Sequence, residues 1–117
     1  MNSQTEAAIR VQVLRLRGEL TVQDALRIKT LLGEYLKEGF AHVLINFEQV
    51  SHVQLAAVGI LAERSQLLRA CGGDLKLVGL SPYLVHMWDL AGFSHRFDFC
   101  RNEEEATARF SRVMAAA

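Results

Sequence analysis

T-V-Q-D-A-L-R-I-K-T-L-L-G-E-Y-L-K-E-G-F-A-H-V-L-I-N-F, residues Thr21 to Phe47, contains the change of period on which the fold turns. In its first part, apolar residues stand at Ala25, Ile28, Leu32, Tyr35 and Leu36, with Leu31 beside them. That spacing predicts an amphipathic helix over Val22 to Lys37. Thr21 is its N-cap, with Asp24 three residues on in a capping-box spacing, and Gly39 is a natural stop. The last part, H-V-L-I-N-F from His42 to Phe47, is too short for a helix and too apolar for an edge strand. It reads as a central strand covered on both faces.

Upstream, I-R-V-Q-V-L-R-L-R (Ile9 to Arg17) alternates apolar and polar residues with a period of two, which predicts a strand ended by Gly18. The phase changes between Val13 and Leu14, as a bend, a bulge or a break into two short strands would require. Downstream, Gln54 to Cys71 reads as a helix weakened only at Gly59, and Gly72-Gly73 ends it. Asp74 to Gly79 is another strand. Ser81-Pro82 is an N-cap followed by proline at the first helical position, and that helix runs to Leu90 and stops at Gly92. Phe97 to Cys100 is a last short strand. Asn102 caps a final helix with Glu103, Glu104 and Glu105 in its first turn, where they suit the dipole, and with Ala106, Phe110 and Val113 on one face.

Strands alternating with helices through short turns give an α/β fold: a mostly parallel sheet of four to five strands with about four helices. The chain of 117 residues is one domain, residues 1–117 with a core of about 9–112, and both ends lie outside that core. Thirteen basic and thirteen acidic residues cancel, which argues against nucleic acid as a partner, because phosphate binding draws on a basic excess. No stretch approaches the roughly 20 apolar residues of a membrane helix, so direct membrane insertion is not expected. The polar start shows no signal peptide, and Cys71 and Cys100 read as reduced packing thiols, both pointing to the cytoplasm.

The sequence offers little chemistry. Gly72-Gly73 precedes a strand, whereas a nucleotide-binding loop stands between a strand and a helix. The four histidines, His42, His52, His86 and His95, are scattered over different elements. Cys100 and His95 could meet at the end of the sheet, but nothing supplies an orienting third group. Trp88 and Met87 read as packing residues. No catalytic residue, metal ligand or cofactor is assigned.

Several stretches together resemble the STAS domain, the fold of bacterial anti-sigma factor antagonists and of sulfate transporter tails. They are G-E-L (Gly18 to Leu20), V-L-I-N-F-E-Q-V (Val43 to Val50), A-C-G-G-D-L-K-L-V-G-L-S-P (Ala70 to Pro82), L-A-G-F-S-H-R-F (Leu90 to Phe97) and E-E-E-A (Glu103 to Ala106). The match runs in unbroken order over about Ile9 to Arg112. In that family a D-S-S-G motif opens the second helix, and its first serine is phosphorylated by a partner kinase. Here the same offset gives Gln54-Leu55-Ala56-Ala57, so the phosphoacceptor position is Leu55 and carries no hydroxyl. Ser51 and Ser65 are the nearby alternatives.

The resemblance implies a protein-binding module. Its docking surface would be the loop Val50 to Gln54 and the helix from Leu55, with Ser51, His52, Gln54, Leu55, Ala56, Ile60 and Leu67 as contact residues. On a helix wheel Val58, Leu61, Ser65 and Leu68 share one side, leaving Leu55, Ile60 and Leu67 off it. The partner implied is a kinase-like anti-sigma factor or related regulator. The competing readings are an accessory subunit of a lipid-transport ATPase or larger signalling assembly, a homodimer through the same apolar surface, and a small-ligand sensor at the strand ends.

Overall fold

The computed structural model describes residues 10–116, with side chains to Ser111. Ile9, expected to open the first strand, and the side chain of Val113 lie outside the described residues. Four parallel strands, β1 (Val11–Leu20), β2 (His42–Val53), β3 (Asp74–Val78) and β4 (Asp98–Cys100), form one sheet in the order β1-β2-β3-β4. The helices are α1 (Val22–Lys37), α2 (Leu55–Ala70), α3 (Pro82–Ala91) and α4 (Glu103–Ala116), with a 3₁₀ turn over Ser94–Arg96.

The helix ends follow local chemistry. Thr21 and Asp24 form a reciprocal capping box at α1. The Ser81 hydroxyl accepts from the Leu84 N–H, and the Asn102 side chain accepts from the Glu105 N–H at 2.8 Å. Gly92 ends α3 at φ +83°, a left-handed conformation that glycine adopts without steric cost.

Three successive strand-to-neighbour crossovers of one hand place α1, α2 and α3 on the same face of the sheet. There Val43, Ile45 and Phe47 of β2 and Leu75 and Leu77 of β3 meet Leu32, Leu61, Leu68, Leu84 and Trp88 in one buried core. Trp88 packs edge-to-face on Phe47 and Phe97, so its role is packing, as its sequence position suggests. Among the described residues the other face is covered by α4, through a smaller core of Leu44, Val78, Cys100, Ala106 and Phe110.

Two ionic clusters fasten α4 and its flanks. The ammonium of Lys76, itself buried, lies 2.8 Å from Asp98 and 3.2 Å from Asp74, and 4.7 Å from the Phe110 ring centre. Arg109 also pairs with Asp98. At the other end of the sheet, Glu103 accepts two hydrogen bonds from the Arg15 guanidinium at 2.8 Å and one from the side-chain amide of the buried Asn46 at 2.7 Å.

The first strand differs from the sequence reading. Its register with β2 is continuous from Val11 to Arg15, so no bend separates Val13 from Leu14. The phase changes because both faces are partly covered: Val11 touches the α4-side core, while Leu14 and Leu16 pack on the other. The true irregularities come later, between Arg15 and Arg17 and between Gly18 and Glu19, where β2 carries the extra residues. Gly18, expected as a stop, is at φ +79° and lies at the second shift inside the strand.

Candidate functional site

β3 pairs with β2 only from His42 to Asn46, but the β1–β2 ladder continues to Leu20 and Val53. The two strands therefore project past the four-stranded body as a ribbon. Val50 to Val53, expected as a loop, belong to this ribbon, and Gln54 alone joins it to α2. The sequence hid this because the projecting part of β2 (Glu48, Gln49, Ser51) is exposed and breaks the apolar run.

Gln54 ties the ribbon tip together. Its N–H donates to the Leu20 carbonyl at 3.0 Å, and its side-chain Oε1 accepts from the Val22 N–H at 2.7 Å. The side chain that precedes α2 therefore serves the start of α1. Helix α2 has neither a side-chain cap nor an acidic residue in its first turn. Leu55 and Ala56 are exposed, Leu55 by 42%, while Ala57 and Val58 turn into the core.

His52 stands beside this helix start on the ribbon. Its Nδ1 is 2.6 Å from the hydroxyl of Tyr83, the two rings stack at 5.8 Å, and its Nε2 is 3.9 Å from Glu19. Tyr83 is 47% exposed. Sequence reading missed both Tyr83 and Glu19. The available signal was Ser81-Pro82, which starts a helix at the same end of the sheet as α2.

The remaining expected contact residues divide. Ser51, His52, Gln54, Leu55 and Ala56 come together at the ribbon tip. Leu67 is exposed by 40%, but it is twelve residues beyond Leu55, about 18 Å along the helix. Ile60 is half-buried against the main core. Of the two alternative serines, Ser51 is exposed, whereas Ser65 is completely buried and closed to a kinase.

The thiol–imidazole pair has poor footing. Cys100 is buried, and burial first, then Asp98, pushes its thiol up from its ordinary value. A nucleophilic thiolate needs the opposite shift. The described residues contain no group of three or more His, Cys, Asp or Glu placed to hold a metal ion. No helix among them is long and apolar enough to cross a membrane.

Comparison with known proteins agrees with this architecture. The anti-sigma-B factor antagonist of Bacillus subtilis is 27% identical over 101 residues, 86% of this chain and 89% of its own length. The solved structure of the anti-sigma factor antagonist SpoIIAA in its unphosphorylated form superposes with a TM-score of 0.68 at 26% identity, covering 86% of this chain and 89% of that one. A sulfate transporter family protein of Wolinella succinogenes shares the fold, with a TM-score of 0.77 at 17% identity over 97% of this chain and 96% of its own. The STAS domain family model matches residues 2–106, and with the sheet order and the helix layers described above this places the chain in the STAS domain family.

Proposed function

We infer that the chain is a cytoplasmic protein-binding regulator of the anti-sigma factor antagonist type, not an enzyme. It docks a kinase-like anti-sigma factor or related regulator through the ribbon tip and the start of α2. One observation carries the reading: Leu55, an exposed apolar residue, occupies the start of α2 next to Ala56 and three residues after His52, which bonds Tyr83. The relatives named as anti-sigma factor antagonists support the class of partner.

In this reading docking has no phosphoserine switch at position 55. A phosphate at a helix start is favoured by free backbone N–H groups and would place charge inside a contact surface. Leu55 offers contact area there and accepts no phosphate. Binding is then constitutive and set by the abundance of the two proteins.

The test is affinity capture from the native cell, with the partners identified by mass spectrometry. A kinase-like regulator captured by the wild type and lost with Leu55→Glu supports the reading. Capture of an ATPase and permease instead would move the protein to the accessory-subunit reading. Unchanged capture of the regulator by Leu55→Glu would remove this surface.

A further inference from the structure

β1 is an edge of the sheet, and among the described residues no strand pairs with its outer side. Its ladder with β2 is regular from Val11 to Arg15, before the first irregularity. Successive residues of a strand turn their backbone N–H and C=O groups to alternate sides, so about half of these groups face outward without a strand partner. Such an edge is a template for a further strand.

Charge limits what can pair there. The whole chain is neutral, yet Arg10 to Gly18 holds three arginines and no acidic residue. In an antiparallel pair of two copies these arginines would face one another, and like charges set across a strand pair are destabilising. The edge therefore disfavours a second copy and favours an acidic strand. Arg15 is matched by Glu103. Arg10 lies over the Phe40 ring at 5.7 Å, Arg17 is exposed, and neither has a carboxylate partner among the described residues. Past Arg15 the edge borders a hollow of about 310 Å³ between β1 and the start of α1, floored by Leu16, Leu20, Ile28 and Val50. Its carboxylates are Asp24 and Glu19. Asp24 is matched by Arg27 and the Thr21 capping box, and Glu19 lies 3.9 Å from the His52 imidazole, so Arg17 is left unmatched at the hollow.

We propose that the outer edge of β1 takes an extended acidic segment of a partner protein as a fifth strand, with carboxylates on Arg10 and Arg17 and an apolar side chain in the hollow. This surface shares no residue with the contact set assigned to the ribbon tip and the start of α2, so either can fail without the other. Arg17 is exposed, and reversing its charge leaves the core intact.

The experiment is a titration of the ¹⁵N-labelled full chain at neutral pH with the peptide acetyl-Glu-Val-Glu-Leu-Glu-Val-Glu-amide, with its lysine-for-glutamate counterpart as the control. Saturable amide shifts along Val11 to Arg17 are expected, with slowed hydrogen exchange at the outward-facing β1 amides, which loose ionic attraction would not produce. Arg17→Glu should weaken binding at least about tenfold, the loss of one charge-assisted contact. No saturable shift on β1, an equal response to the lysine peptide, shifts without slowed exchange, or unchanged affinity in Arg17→Glu would overturn the assignment. So would outward-facing β1 amides that are already protected in the free chain. The edge would then belong to a second copy if the chain sediments as a dimer, and to another part of the same chain if it sediments as a monomer.

Discussion

Gln54 Oε1 accepts a hydrogen bond from the Val22 N–H at 2.7 Å, so a residue preceding α2 satisfies the first turn of α1. Gln54→Ala should lower stability by about 1 kcal/mol, the usual worth of such a bond. Urea unfolding of the two proteins checks it. A change under about 0.3 kcal/mol would mean that water replaces the side chain without loss.

Ser65 makes the opposite point. Its hydroxyl is buried on the core side of α2 and has no hydrogen-bond partner among the described residues. Alanine removes an unmet polar group and improves helix propensity, so Ser65→Ala should raise stability by about 1 kcal/mol. A rise in the thermal midpoint is the expected readout, and a fall would show that the hydroxyl is satisfied in solution.

Gly73 illustrates close approach without unusual backbone. A Cβ there would fall 1.8 Å from the Ala41 carbonyl oxygen, which accepts the Asp74 N–H at 3.0 Å as β3 begins. Backbone must move to make room, at the point where β3 joins β2. Gly73→Ala should cost at least about 2 kcal/mol, measurable as a shift in the urea midpoint.

Acid should loosen the cover provided by α4 in two stages. Burial first holds the His42 imidazole below its ordinary value, while Asp74 acts the other way; the ring packs edge-on to Phe110. Because the unfolded chain takes up that proton more readily, stability falls as the pH drops below about 6.5. The Arg15 guanidinium first, and the Asn46 amide next, hold the Glu103 carboxyl below the ordinary range. Its contribution is complete above that range and is lost as the pH falls through its lowered value. Stability measured from pH 8 to 3 should show both declines, the first absent in His42→Phe and the second reduced in Glu103→Gln.

Much of this architecture is legible in local sequence. The caps at Thr21, Ser81 and Asn102 depend on residues three positions apart, and each forms the bond its spacing predicts. The projecting ribbon was not legible, because beyond Asn46 the second strand has a neighbour on one side only and its outward residues are polar. The site divides in the same way. The offset along the chain leads to Leu55 at the exposed start of α2, but the Tyr83 hydroxyl reaches His52 across 31 positions, and no periodicity reports that contact. Likewise, twelve residues separate Leu55 from Leu67, which apolarity alone could not convert into distance.

The cover that α4 gives the second face has a consequence for biosynthesis. Every residue needed for the sheet and for its three-helix layer precedes Asn102. During N-to-C synthesis those parts can assemble first, leaving Leu44 and Val78 bare on the opposite face. Ala106 and Phe110 cover that surface when they emerge. A helix translated after the sheet thus closes it, and a ribosome that stalls before Glu103 would leave a sheet with one apolar side open to aggregation.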